Sequence, residues 1–385
     1  MFKGLINNAG PIGIDLCDDA VRLLQLGSVQ GTLCVLASAR IDLAPLGITH
    51  APDDPAPDEL VRALARRLHA GGFSGKRCHI TLPDRSLTTR TARLPVMPDA
   101  ELANAAALDA PGHLGLADCE GGAEIGWIRT GDIFQGDERR YELVYFGTPS
   151  ERLERLAYAL EGAGLEPLAM EPRFVSLTRA TTRFLRRTAD ADIVQLCIDV
   201  CEQHSDVLIT RGDGLVFAKV IPLGSDEMNG AVAKRLGLDN ETVTEIRRQR
   251  MQPSGSDDVD ERIERAIFDS VRPTLSAIAH EAGLCLRHYS VTFRGARPTR
   301  VLLSGPVANE PGFADVVRDQ LGMETVTADP FEGVCTKSVI GGGRYGPDWT
   351  AAMGIASRDM LKRASPRNRN QRRTAAPSSR EGRAA

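Results

Sequence analysis

Apolar residues along the chain gather into short runs, and two halves of the chain arrange those runs in the same order. In the first half Ile12 to Leu16 reads as a strand, broken by the acidic turn Cys17-Asp18-Asp19 and resumed from Val21 to Leu26. Gly27 to Gly31 makes a second turn, and Thr32 to Leu43 runs on as a third strand. A Pro/Asp-rich loop at Ala51 to Asp58 then precedes apolar positions 60, 64 and 68, which predict a helix stopped by Gly71-Gly72. The strand-like "CHITLPD" follows from Cys78. In the second half the same order returns. Strand Ile193 to Val200 leads through a turn to strand Asp206 to Thr210. A Gly212-Asp213-Gly214 turn, strand Leu215 to Ile221 and a helix over Ser225 to Leu238 follow. Within this second copy, Ile198-Asp199-Val200-Cys201-Glu202 reproduces Ile14-Asp15-Leu16-Cys17-Asp18. A matched aspartate at the end of a buried strand in each half implies two similar domains facing one another across a cleft.

Between the halves, Pro98 to Pro167 reads as a small α/β insertion. It carries helix-like "DAELANAAALDA", strands "AEIGWIRT" and "RYELVYFGT", and helix-like "SERLERLAYALEGAGL". After the second copy comes a long helix or a helix pair from Val259 to Val291, with Pro273 as the place for any break or kink. "TRVLLSGPV" reads as a buried strand entering a turn, "GFADVVRDQLG" as a helix closed by Gly322, and Pro347 suits the first turn of a last helix. The expected organisation is a first lobe over 1–190 with the insertion at 98–167, a second lobe over 191–360 with the helix 347–360 packing back, and a tail over 361–385.

Charge divides unevenly. The tail holds eight Lys/Arg against one Glu, +7, which leaves −11 on the rest of a −4 chain. With almost no apolar residues the tail is expected to be disordered, and its charge suits an anionic membrane surface. The acidic body speaks against nucleic acid as a partner. No apolar run approaches the roughly 20 residues of a membrane span, and "MFKGLINNAGP" breaks before a signal-peptide core forms. Eight scattered cysteines, most of them inside apolar strand-like or helical runs, fit reduced thiols and a cytoplasmic protein.

Three local patterns weaken on inspection. Cys197 and Cys201 lie four positions apart on a strand, about 13 Å at the usual rise, too far for one metal ion. Gly341-x-Gly343-x-x-Gly346 lacks the following strand and acid of a dinucleotide site. His204 and Asp206 flank the second turn and read as an exposed polar pair.

Taken together, Gly13 to about Arg358 resembles the actin-like ATPase superfamily, and within it the pilus-assembly PilM family, with FtsA as a more distant relative. The resemblance rests on Gly13-Ile14-Asp15, on "LPVMPDAELANAAALDAPGHLGL", "LEGAGLEPLAMEP" and Ile198-Asp199-Val200, on "VIPLGSDEMNGAVAKRLGLDNETVTEIRRQ", on "RVLLSGPVANEPGFADVVRDQLGMETVTADPF", and on "AAMGIASRD". It implies an α/β fold, a duplicated actin-like (RNase H-like) pair of lobes with an inserted subdomain. It also implies recruitment to the inner membrane by the cytoplasmic N-terminal segment of a PilN-like single-span partner, in a groove between the first lobe and the insertion. Active members follow each strand-end aspartate with glycine and small hydroxyl residues around ATP and Mg²⁺. This sequence departs at every such place. Cys17, Asp18 and Asp19 stand in the first turn, Cys201 follows Asp199 in the second, and Gly305 is followed by Pro306, which has no N–H. The expected nucleotide cleft is therefore degenerate, with Asp18 and Asp19 turned on the phosphate oxygens and Asp15 and Asp199 kept by strand-end hydrogen bonds. Two rival readings stand beside a scaffold: an active ATPase rebuilt around Cys17 and Cys201, and a small-molecule kinase of the same superfamily.

Overall fold

The computed structural model describes residues 6–48, 57–251, 260–336 and 345–360. The expected tail and the glycines Gly341 and Gly343 lie outside the described residues. The first meander is β1 (Ile6–Leu16), β2 (Ala20–Val29) and β3 (Thr32–Asp42). Helix α1 (Asp58–Ala70) leads to β4 (Arg77–Leu82), which pairs parallel to β1. Strand β5 (Thr88–Pro95), helix α2 (Asp99–Leu114) and strands β6 (Ala123–Gln135) and β7 (Glu138–Pro149) follow. They form a separate antiparallel sheet ordered β5-β7-β6. Leu102, Ala106 and Ala110 of α2 pack on Ala92, Leu143 and Tyr145 of that sheet. Helix α3 (Ser150–Gly162) returns the chain to β8 (Glu166–Pro172), and α4 (Arg173–Thr181) ends the half.

The second meander is β9 (Val194–Val200), β10 (Ser205–Arg211) and β11 (Gly214–Ile221). Helices α5 (Ser225–Leu236), α6 (Asn240–Arg250) and α7 (Glu261–Phe293) then carry the chain to β12 (Arg300–Ser304), parallel to β9. Helix α8 (Phe313–Leu321), β13 (Thr325–Thr327) and α9 (Thr350–Ala356) complete the described chain. The two main sheets run β3-β2-β1-β4-β8 and β11-β10-β9-β12-β13. Each is a meander followed by two parallel strands, so the duplication seen in the sequence extends to the whole sheet. Ile12–Leu16 of the first central strand and all of the second are buried on both faces, as parallel neighbours covered by helices require.

Three segments each take their form for a physical reason. Helix α7 runs through Pro273 without ending. Proline there costs about 3 kcal/mol, but Ile267, Val271, Leu275, Ile278, Ala282, Cys285 and Tyr289 of one helix face are all buried, and each large side chain contributes about 1.5–3 kcal/mol. The third sheet takes its edge strand from Thr88–Pro95, ahead of Pro98, while Leu156 and Leu160 of α3 join the core of the first lobe. Strand β5 buries only Ala92, so its alternation carries little signal. Helix α9 is short but buried at every residue, wedged between β1 and α4. It follows the second lobe in sequence yet completes the core of the first.

Candidate functional site

The parallel pairings set the site. Register places Asp15 of β1 opposite Thr81 of β4, and Asp199 of β9 opposite Ser304 of β12. In each lobe a hydroxyl on the next strand thus faces the strand-end carboxylate. Thr81 Oγ1 donates to Asp15 Oδ1 at 2.7 Å while accepting from the Leu16 amide at 3.1 Å. Ser304 Oγ, on the strand position opposite Asp199, donates instead to Pro347 O at 3.3 Å. The expected strand-end hydrogen bond is present at Asp15, while Asp199 is held by Arg173 and Cys201; Thr81 and Ser304 come from strands whose sequence, "HIT" and "LLS", gives no separate sign of a role.

Both aspartates are fully buried, and one cation serves them. Arg173, the first residue of α4, is 1% exposed and lies between the lobes. Its Nη1 donates to Asp199 Oδ2 and lies 3.3 Å from Asp206 Oδ2, while its Nε is 3.4 Å from Asp15 Oδ1. Burial opposes the charge on Asp199, but Arg173 and Cys201 outweigh it and hold the carboxyl below the usual range. Conversely, burial works against the guanidinium charge, and Asp199 and Asp15 keep it firmly protonated. This arginine is the residue that sequence reasoning missed. The one available signal was chemical: two buried carboxylates facing each other require a cation.

The turns after the two strands meet across the cleft. Cys17 Sγ and Cys201 Sγ are 3.5 Å apart, with Cys201 Sγ also 3.4 Å from Asp199 Oδ2. Asp18 lies against His204 Nδ1 at 3.1 Å from the opposite lobe and against Arg85 at 3.5 Å; Arg85 in turn reaches Gln203 at 3.4 Å. Asp19 points elsewhere, bound by both terminal nitrogens of Arg22 at 3.0 and 2.6 Å and by Arg40 at 3.0 Å. The same two arginines hold Asp348. Both carboxylates of the first turn are thus engaged by side chains of the protein itself. Asp206 is likewise not exposed. Pairing places it opposite Asp199 on β10, which turns it into the cleft beside Arg173. Cys197 packs with Phe174 and Leu177 of α4 rather than beside Cys201, and among the described residues no group of His, Cys, Asp or Glu is suited to a metal ion.

Gly305 adopts φ +84, and a Cβ there would lie 2.5 Å from the Val200 carbonyl. Its amide donates to Pro347 O at 3.1 Å, an oxygen that also accepts from Thr350 Oγ1 at 2.7 Å. The Gly305-Pro306 turn is thus tied down on the final segment.

Glu202 completes the site. Burial and the neighbouring Asp226, Asp19 and Asp18 push its carboxyl up to about 8. The unfolded chain ionises nearer 4.5, so it releases this proton first. The stability due to neutral Glu202 is present below about 4.5 and is lost as pH rises towards about 8. Urea midpoints are expected to fall across that window, and Glu202→Gln should flatten the fall. An unchanged slope in the variant would remove Glu202 as its source.

The group implied by the resemblance, ATP with Mg²⁺, does not fit these residues. The aspartates that would face the metal already share a guanidinium, and the turn beside them carries the carboxylate of Asp18 where a phosphate would need a donor.

A family model described as type IV pilus assembly protein PilM matches residues 13–359. The chain belongs to the PilM family. A solved structure described as a PilM-PilN type IV pilus biogenesis complex is 19% identical with a TM-score of 0.72, covering 91% of this chain and 98% of that one. The ethanolamine utilization protein EutJ from Carboxydothermus hydrogenoformans is 14% identical with a TM-score of 0.51, covering 92% of this chain and 93% of its own. These likenesses show the fold, which is the α/β, duplicated actin-like fold of two lobes with an inserted subdomain. Among the described residues no helix is long and apolar enough to cross a membrane.

Proposed function

We propose that this PilM-family chain is a cytoplasmic, actin-like scaffold of a type IV pilus or type II secretion platform, peripheral to the inner membrane. Its nucleotide cleft is degenerate. The observation that carries the second statement is Arg173, a buried internal cation on Asp15, Asp199 and Asp206, where an active relative would place charge on the metal and nucleotide. Such a protein acts by holding partners together. The partner supported by family membership, and by the complex in which a similar chain was solved, is a PilN-like single-span membrane protein that offers its cytoplasmic N-terminal peptide. The peptide would lie in the groove between the first lobe, within 1–190, and the inserted subdomain, whose sheet takes in Thr88–Pro95 as well as Ala123–Pro149. The basic tail adds salt-sensitive attraction to anionic lipid.

Calorimetry on the full chain tests this reading. Mg-ATP is expected to bind no tighter than about millimolar, −4.1 kcal/mol, while the partner peptide binds without nucleotide. Micromolar Mg-ATP binding would overturn the degenerate cleft. Failure of the peptide to bind would overturn the scaffold role.

A further inference from the structure

We propose that Cys17 and Cys201 form an oxidisable pair whose disulfide staples the two lobes across the cleft. Both are free thiols, each stands two residues beyond its lobe's strand-end aspartate, and their sulfurs are 3.5 Å apart. A covalent S–S bond of about 2.05 Å leaves about 1.5 Å to close, within reach of side-chain rotation. Neighbouring contacts already fix the approach. Cys17 N bonds Ala20 O at 3.3 Å and Cys201 N bonds His204 O at 2.9 Å, so both turns are held while Arg173, Asp18 and His204 bridge the lobes. Among the described residues no other cysteine is hydrogen-bonded to either sulfur. Cys34 lies opposite Cys335 in a bridge beside β3, and Cys197 packs under α4.

The chemistry balances with a peroxide as oxidant. Cys17, the slightly more accessible thiol, attacks one peroxide oxygen, the O–O bond breaks, and a sulfenic acid forms with release of water. Cys201 Sγ then attacks the sulfenic sulfur; the hydroxyl leaves with the Cys201 proton as a second water, and the Sγ–Sγ bond is made. The Arg173 guanidinium favours the thiolate at both sulfurs. Opposing it at Cys17 are the hydrogen bond with Cys201 and burial, which push the thiol well above its ordinary value. At Cys201 the Cys17 contact acts downwards, but burial and the nearby aspartates leave it at about 12. The pair is therefore expected to resist bulky thiol reagents and to react slowly with a small peroxide. This inference rests on the cleft geometry and is independent of any partner.

The native full-length protein is treated with hydrogen peroxide, quenched, digested without reductant and analysed by mass spectrometry. The expected result is one linked peptide pair joining Cys17 to Cys201. Its yield should be independent of protein concentration, lost with dithiothreitol and absent in Cys201→Ser. Hydrogen exchange at the Leu16 and Cys201 amides should slow in the linked form and recover on reduction. Oxidation of Cys17 to sulfinic or sulfonic acid without a link overturns the proposal. So does a linked pair confined to Cys34 and Cys335, or survival of both thiols unmodified.

Discussion

Arg173→Ala is expected to lower the stability of the folded chain by on the order of 3–5 kcal/mol, the usual cost of removing one partner from a buried charge cluster. That is a large share of a typical total of about 5–15 kcal/mol. The loss arises less from the missing guanidinium than from what remains, since Asp15 and Asp199 are both fully buried and no cation is left between them. The pH dependence follows from the sign of the Asp199 shift. In the wild type Arg173 outweighs burial and depresses the carboxyl, so Asp199 contributes stability above its ordinary 3.8 that is lost as pH falls. In the variant burial loses its main opponent, the folded carboxyl rises, and holding the charge becomes a penalty near neutrality. The deficit of Arg173→Ala should therefore be greatest near neutral pH and narrow towards the carboxylate range. Urea denaturation at several pH values measures it. A second variant, Arg173→Met with Asp199→Asn, should recover part of the loss, because the uncompensated charge is reduced together with its partner. Equal stability of Arg173→Ala and wild type at neutral pH would remove Arg173 as the cleft's counter-ion.

The same residue marks where sequence reading stops. Asp15 and Asp199 are legible because each ends an apolar run and the two runs match. Even so, the consequence of their facing each other depends on what lies between. The motif Leu160 to Pro172 ends one position short of Arg173. An arginine at the start of a helix ordinarily reads as a solvated side chain, and only the docking of α4 between two sheets buries it. Likewise the acids of the first turn are visible in the sequence, but their partners are not. Arg22 and Arg40 come from β2 and β3 on the register of one sheet, and His204 comes from the other lobe. Asp206 reads as a turn residue until pairing with β9 turns it inward. Elements with long, strongly patterned runs are recovered. Strand β5, which buries a single alanine, and β13, three residues long, carry too few apolar positions to stand out.

Gly354→Ala is expected to be as damaging as the loss of Arg173, through sterics rather than charge. Helix α9 fits between β1 and α4 only because glycine lies at each close approach. A Cβ on Gly354 would fall 1.9 Å from the Ser176 carbonyl oxygen of α4, and one on Gly13 would fall 2.6 Å from the Ala356 amide of α9. Both obstacles are backbone, so neither can swing aside as a side chain would. Relief requires shifting α9, which also carries contacts of the charge cluster beneath it. Arg179 donates to the Gly354 carbonyl at 2.9 Å and to Glu171 at 2.6 Å, and Arg358, just past the helix, reaches the same carboxylate at 2.7 Å. Overpacking costs about 1–3 kcal/mol where neighbours can adjust; here the rigid contacts place the expected loss at or above the top of that range. The control is the same substitution where space is open. Gly230 lies in α5 with nothing within 4 Å of its would-be Cβ, so Gly230→Ala should stabilise by up to about 1 kcal/mol through helix propensity and a less flexible unfolded chain. One methyl group thus carries opposite signs at two helical glycines. Thermal or urea unfolding of the pair reads both signs, and a Gly354→Ala chain as stable as the wild type would show that α9 is not held at this distance.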